Sequence, residues 1–266
     1  MKIKKLVLIL VSVIGINYLS YGLGGIDLRA GIFSPKMNVD GTIITDKGKK
    51  YDIQDTLDLD AFKKQNWFID IGLPLLPNIR LEHQPIYHEG ENQVEVPIDI
   101  GWFDIKIKAY DKVKTKVDLQ KNYDLIAYYD FKLPYLTPKI GAAIKYVEGD
   151  LYAEAKKLKQ KDHARIKTFL PMVFLGAEAA VPVIPLIAEL AGEFEIKGIS
   201  YDNSYYLGTK WLLKLRILLL QGIGAVYVGT GYQTWDLVLK NLPSGKANPQ
   251  VDLHWRGTFM EFGLEF

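Results

Sequence analysis

Alternation of apolar and polar residues with a period of two constrains the fold of this chain more than any other feature. Two is the side-chain period of a β-strand, and helical periodicity is hard to find after residue 22. The sequence therefore predicts an all-β protein of ten strands, with 8 or 12 as alternatives because residues 94–107 also alternate and could extend the preceding hairpin. The ten predicted strands are residues 25–33, 66–73, 79–88, 123–132, 139–150, 165–181, 186–201, 205–220, 222–236 and 251–266.

The last of these strands carries the clearest pattern. Met260, Phe262, Leu264 and Phe266 fall on one face, and the sequence ends on Phe266. A strand in a water-soluble sheet has no reason to end on an exposed Phe, whereas a strand that contacts lipid does. Such a strand resembles the assembly signal of bacterial outer-membrane barrels, and the resemblance implies that Phe262, Leu264 and Phe266 form that signal.

The connections between the predicted strands alternate in length. Residues 73–78, 133–138, 182–185 and 221–222 are short turns, three of them bracketed by prolines that stop strands. Residues 34–65, 89–122, 151–164 and 240–250 are long and polar, and only a tight turn near residues 202–203 breaks the alternation. This pattern predicts a transmembrane antiparallel up-and-down β-barrel with short periplasmic turns and long extracellular loops.

The N-terminal residues predict export. Residues 1–5 are basic, residues 6–19 are an apolar run, and residues 20–22 include small residues where a signal peptidase cleaves. An anchor helix would need about 20 apolar residues, and this run is shorter and contains Asn17. We therefore expect a cleaved signal peptide at residues 1–22 and an outer-membrane barrel domain at residues 23–266.

Composition narrows the partners. The chain has no cysteine, which suits an oxidising periplasm, and its net charge of +2 gives no indication of nucleic-acid binding. We expect a monomer that contacts outer-membrane lipid and lipopolysaccharide, and the barrel assembly machinery during biogenesis.

Residues 169–192 are nearly all apolar and could be mistaken for a membrane helix. Pro171, Pro182 and Pro185 would break that helix, and Glu178 and Glu189 would lie in hydrocarbon. Two strands joined at residues 182–185 explain both observations.

The same alternation predicts which charged side chains face the lumen. They set ion selectivity if the barrel is open, or pair with one another if it is filled, and ten strands lie near the closed end of the size range. The principal lumen candidates are Glu178, Glu189, Glu193, Glu195, Lys197, Lys210, Lys214 and Arg216. Further inward candidates are Asp27, Arg29, Asp70, Arg80, Glu82, Asp124, Asp130, Lys145, Glu261 and Glu265.

Catalytic and metal motifs are weak. The loop pairs Asp162-His163 and Asp58/Asp60 loosely resemble the acidic and Asp/His pairs of ten-stranded rim proteases, but their spacing does not match that motif. The four histidines lack metal-ligand spacing, and no glycine-rich phosphate loop or serine elbow is present. We expect no catalytic residue, no metal and no cofactor.

Several short blocks occur in the order seen in one family of barrels. They are Gly24-Gly25, residues 73–82, residues 117–119, residues 124–129, residues 169–172 and residues 228–232. Together they resemble the family described as "outer membrane protein with Gly-Gly" over essentially the whole mature chain. The resemblance implies an outer-membrane barrel without an assigned reaction. Residues 71–74, Ile-Gly-Leu-Pro, stand where the family has Glu-His-Pro, so no role of that acid or histidine is transferred.

These observations predict a narrow passive pore or small-solute channel with a charged lumen. The alternatives are a closed structural or binding barrel whose extracellular loops contact a partner, and, less favoured, a rim hydrolase. Neutralising Lys210, Lys214 and Arg216 would change ion preference in a pore but would mainly lower stability in a filled barrel.

Overall fold

The structure is a computed structural model that describes residues 26–44, 50–52, 61–94, 98–100, 105–107, 111–155, 160–201, 204–219, 224–239 and 250–266. The predicted signal peptide at residues 1–22 lies outside the described residues, as do the predicted turns at 202–203 and 221–222. None of the residues in these ranges is helical, so they contain no helix suited to crossing a membrane.

The described residues form fifteen strands in chain order. They are β1 Asp27–Ile44, β2 Lys50–Asp52, β3 Phe62–Lys63, β4 Asn66–Gly72, β5 Asn78–His83, β6 Ile86–Val94, β7 Ile98–Ile100, β8 Ile105–Ile107, β9 Asp111–Asp130, β10 Leu136–Ala155, β11 Gln160–Ile184, β12 Ala188–Tyr201, β13 Ser204–Leu219, β14 Gly224–Leu239 and β15 Gln250–Glu265.

Ten of these strands close into one antiparallel barrel. The pairing runs from β1 through β4, β5 and β9 to β15, and β15 pairs with β1 again. Strand β6 continues the position of β5 along β9, so β5 and β6 together form one side of the wall. Leu28 and Phe266 exchange two backbone hydrogen bonds of 2.8 Å at the closure. The predicted ten-stranded barrel is confirmed.

The register sets the size of the barrel. Following paired residues around the wall from Leu28 leads back to β1 at Asp40, and the displacement from 28 to 40 is 12 residues. Ten strands with this displacement tilt by about 40° and form a wall of about 10 Å radius, given the usual strand spacing and rise. Inward-facing Arg and Lys side chains can therefore reach across much of the lumen.

The outer wall carries an apolar band that begins at the short turns. On β13 the outward face runs from Leu207 to Ile217, and Thr209 is the one hydroxyl-bearing residue on it. Trp211, Leu213 and Ile217 are exposed on this face. At about 3.3 Å per residue and about 40° of tilt this stretch spans about 25 Å, the height of the lipid-facing band of a transmembrane barrel.

Several segments predicted as long loops are strands instead. Strand β1 continues to Ile44, β9 begins at Asp111, and β10 and β11 form a hairpin up to residues 155 and 160. The prediction was wrong because the alternation inverts above the apolar band, that is, on the side of the long loops. There the apolar residues face inward and the charged residues face outward. Lys114 and Lys116 lie on the outer wall there, whereas Val117 and Leu119 pack inside.

The inversion coincides with an irregularity in the wall. Between Glu148 and Asp150 the register of β10 against β9 shifts, as in a β-bulge. Just above Tyr123 and Tyr146 on the outer wall, Lys121 lies 3.2 Å from Glu148. Aromatic rings followed by charges mark the upper boundary of the apolar band.

Three other predicted elements are corrected. Strand β11 passes through the predicted turn at Pro182 and ends at Ile184, with a register irregularity between these two residues. Because proline has no N–H to donate, an irregularity in the ladder is where it is tolerated. The strand predicted at 79–88 is interrupted before Ile86, and the predicted hairpin extension through residues 94–107 follows β6 only to Val94, because β7 and β8 pair separately.

Candidate functional site

The lumen within the apolar band is filled by charged side chains. Among the described residues, eight cations lie with nine carboxylates, so the two signs nearly balance. The cations are Arg29, Arg80, Lys139, Lys145, Lys197, Lys210, Lys214 and Arg216, and the carboxylates are Asp70, Glu82, Asp124, Glu178, Glu189, Glu193, Glu195, Glu261 and Glu265. We call this set the lumen network.

Glu193 on β12 is the centre of the lumen network. Arg29 on β1 donates two hydrogen bonds to its carboxylate, of 3.2 and 2.7 Å, and Lys139 on β10 donates one of 2.6 Å. The Nζ atom of Lys214 lies 3.4 Å away. Strands β1 and β12 lie on nearly opposite sides of the barrel, so the Arg29–Glu193 pair crosses the lumen.

A second group of ion pairs crosses the lumen from β12 to the opposite wall. Lys197 donates hydrogen bonds of 2.7 Å to both Glu82 on β5 and Asp124 on β9. Arg80 donates to Asp70 at 2.9 Å and also pairs with Glu195. Isolated charges could not be buried at this depth, whereas charges that are paired and hydrogen-bonded can be.

Near the short-turn end the network becomes accessible to solvent. Arg216 pairs with Glu178 and lies 2.8 Å from Glu265. Lys214 lies 3.1 Å from Glu178 and 3.0 Å from Glu265. Glu189 is at the rim, 3.7 Å from Arg216, and its side chain is 32 % exposed.

Aromatic rings pack between the charges. Lys210 donates a 2.7 Å hydrogen bond to Glu261, and its Nζ atom lies 4.8 Å from the centre of the Phe33 ring. The Tyr227 hydroxyl donates to Glu261 at 2.8 Å, and its ring lies against Gly263. A Cβ atom at Gly263 would come within 2.3 Å of that ring, so this position needs glycine.

Above the network the lumen is filled by apolar side chains. They belong to one buried cluster that also extends down between the charges at Ile126, Tyr128 and Phe174. We call the part of this cluster that lies above the network the apolar layer. Its larger members include Met37, Met172, Tyr206, Trp235 and Trp255. The charged part of the lumen is therefore separated from the long-loop end by side chains packed as in the core of a soluble protein.

A cavity of about 360 Å³ opens at the short-turn end. Its lining includes Asp27, Arg29, Asp130, Lys139 and Arg216. The cavity therefore gives access to the network from one end, and Arg29 and Lys139 are where it meets the pairs around Glu193.

The structure places all eight principal lumen candidates in the barrel interior, and each lies in an ion pair. Further inward candidates, including Arg29, Arg80 and Asp124, lie in the same network. Lys139, Tyr128 and Tyr227 were missed; Tyr128 donates a 2.6 Å hydrogen bond to Asp70. The alternation along β9, β10 and β14 places them on the inward face and could have identified them. The apolar layer was also missed, because we expected polar residues along the whole interior.

The remaining predicted sites fall outside the network. Phe262, Leu264 and Phe266 lie on the outer face at the end of β15, and their assembly role stays a prediction. Asp58 and Asp60 lie outside the described residues. For Asp162 and His163 only the backbone, in β11, is described.

One histidine lies among carboxylates on the outer wall. The Nδ1 atom of His254 is hydrogen-bonded to Asp236 at 2.6 Å, and its Nε2 atom lies 3.0 Å from Asp252. Within the part of the chain that the structure describes, no group of three potential ligands is placed to hold a metal ion.

Comparison with known proteins gives structural similarities only. No family model matches the chain, so membership of the Gly-Gly family stays a prediction, and no curated protein matches it. The β domain of the Bordetella autotransporter BrkA matches at 11 % sequence identity and a TM-score of 0.40, covering 91 % of this chain and 98 % of that one. A Pseudomonas aeruginosa FadL homologue matches at 7 % sequence identity and a TM-score of 0.28, covering 91 % of this chain and 90 % of that one. OmpT of Vibrio cholerae matches at 9 % sequence identity and a TM-score of 0.28, covering 89 % of this chain and 97 % of that one.

Proposed function

We propose that this protein is a monomeric outer-membrane barrel whose lumen is closed by its own side chains. Its functional surface would then be the long-loop end, where a partner binds. The apolar layer carries this proposal, because Trp235, Trp255 and their neighbours pack in the lumen directly above the ion pairs that Lys145 and Lys197 form with Asp124. The outward apolar band and the contrast between short turns and long loops support placement in an outer membrane, with the short turns in the periplasm.

The wall above the band supports a binding role. Strands β9, β10 and β11 continue well past the charged pair Lys121–Glu148. In the hairpin of β10 and β11, β10 rises about 18 Å further from Glu148 to Ala155, at about 3.3 Å per residue and about 40° of tilt. Strands that extend this far from the band give a partner a surface away from the lipid.

A narrow pore is the second candidate. The cavity at the short-turn end supports it, because its charged lining leads inward from one side as far as Arg29 and Lys139. Passage would then require the side chains of the apolar layer to move. Ion preference would depend on Lys210, Lys214 and Arg216.

Single-channel conductance of the refolded mature protein in a planar bilayer distinguishes the two candidates. A closed barrel gives no discrete steps, because the lumen network and the apolar layer both fill the lumen. Discrete steps in the unaltered protein, with an ion preference that Lys214→Gln shifts, would refute the closed barrel. Heat-dependent gel mobility confirms that each variant has folded.

Lipopolysaccharide is the lipid we expect beside the upper boundary. Lys36 on β1 and Arg256 on β15 are exposed just above the apolar band, and the register of these paired strands makes them diagonal neighbours. Exposed cations at this height can pair with phosphate groups of an outer-leaflet lipid. Charge reversal at both positions should weaken co-purification of lipopolysaccharide, whereas reversal of the distant Lys132 at the short-turn end should not. Equal retention of the lipid by both variants would contradict this contact.

A further inference from the structure

Three short turns share one backbone conformation. They are residues 73–76, 133–136 and 184–187, and in each the fourth N–H donates to the first carbonyl, at 3.3, 3.3 and 3.0 Å. The second residue is proline in all three. The third residue has a positive φ, of 64° at Leu75, 63° at Tyr135 and 65° at Leu186. Proline followed by a positive φ is the pattern of a type II turn.

The third position of such a turn favours glycine or asparagine. A large side chain there is strained, because its Cβ crowds the following carbonyl oxygen. Leu75 is 99 % exposed, Leu186 is 86 % exposed and Tyr135 is 70 % exposed. The rest of the described protein therefore offers little packing to offset the strain.

The turns adjoin the lipid-facing wall. Leu76, Leu133, Leu136 and Ile187 next to them are also exposed, and the outward apolar band begins directly above. Charges at this end, such as Glu189 and Arg216, lie inside the barrel mouth. The exposed apolar surface of the turns is thus continuous with the band and separate from the charged rim.

We propose that the three turns are membrane anchors, with Leu75, Tyr135 and Leu186 inserted into the apolar region of the periplasmic leaflet. Transfer of these side chains from water into lipid offsets the strain of their backbone. The Tyr135 ring is suited to the boundary, where its hydroxyl reaches the headgroups. The short-turn end therefore lies within the leaflet and does not project into the periplasm. This inference rests on a membrane-spanning barrel and is independent of whether the lumen conducts.

Spin labels test the location directly, because the chain has no cysteine and each single-cysteine variant carries one label. Leu75→Cys, Tyr135→Cys and Leu186→Cys are labelled in phosphatidylcholine vesicles, and collision with oxygen is compared with collision with a water-soluble nickel chelate. Leu213→Cys in the band is the lipid control. Lys112→Cys is the water control, because the Lys112 side chain is 61 % exposed on β9 far above the band.

We expect oxygen to dominate at the turns as it does at Leu213→Cys. Nickel accessibility equal to that at Lys112→Cys would place the turns in water, and low accessibility to both reagents would place them against protein. Either of these results overturns the proposal.

Substitution of the turn leucines by asparagine gives a second test, because the proposal predicts the direction in which the urea midpoint of unfolding changes. It tolerates positive φ, so Leu75→Asn and Leu186→Asn relieve strain but place an amide where lipid is proposed. The urea midpoint of unfolding from vesicles should fall for both variants. A raised midpoint would show that relief of strain outweighs any lipid contact, which would contradict the anchors. Heat-dependent gel mobility shows that the variants reach the folded state.

Discussion

Replacing Glu193 by Gln should destabilise the barrel far more than the same neutralisation at the rim. Its side chain is 2 % exposed and accepts charge-assisted hydrogen bonds from Arg29 and Lys139. The amide that replaces it has no charge and retains one acceptor oxygen. Each charge-assisted bond contributes roughly 1.5–3 kcal/mol, and removing one partner from a buried ion pair costs about 3–5 kcal/mol. We therefore expect the free energy of unfolding to fall by about 3–5 kcal/mol.

Glu189→Gln is the matched control, since it removes the same charge from the same strand. The Glu189 side chain is 32 % exposed and lies 3.7 Å from Arg216. Solvent screening limits such a pair to about 0–1 kcal/mol. Urea unfolding in lipid vesicles, followed by tryptophan fluorescence and heat-dependent gel mobility, measures both variants.

A double variant tests whether the cost of Glu193→Gln comes from stranded cations. Adding Lys139→Gln removes one of the cations that the first change leaves without its carboxylate, so part of the lost stability should return. Equal costs for Glu193→Gln and Glu189→Gln, or strictly additive losses in the double variant, would refute the argument that the lumen is stabilised as a paired network.

Three further changes give expected outcomes. Gly263→Ala places a Cβ atom within 2.3 Å of the Tyr227 ring, and overpacking of this kind should cost about 1–3 kcal/mol in urea unfolding; an unchanged midpoint would show that the ring moves freely. Trp255→Ala removes a ring from the apolar layer and should cost about 3–5 kcal/mol, measured in the same way, whereas a smaller loss would indicate a loosely packed layer. Phe266→Ala should slow formation of the heat-modifiable barrel during assembly, while Met260→Ala on the same face should not; equal rates would argue against an assembly role for Phe266.

The sequence predicted which charged residues face the lumen but not which of them pair. The tilt of the strands and their displacement around the wall explain why. Alternation identified the inward parity of Glu193, Lys197 and Lys214 because parity is a local property of a strand. Their partners lie on other strands, and Arg29 reaches Glu193 across the barrel. Which cation meets which carboxylate depends on the displacement of 12 residues around the wall, from Leu28 to Asp40, and no short segment contains that information.

The amino-acid sequence by itself determined the ten-stranded barrel, the outward apolar band and the turns within residues 73–78 and 133–138, because each follows from a period of two, from exposed apolar faces or from proline. Only the tertiary structure decided where the barrel is filled and where the strands end. Above the membrane the outer wall faces water, so the same alternation places Val117 and Leu119 inside and Lys114 outside. A pattern of lysine and valine is compatible with a polar loop or with an inverted strand, and pairing with neighbouring strands is what distinguishes them.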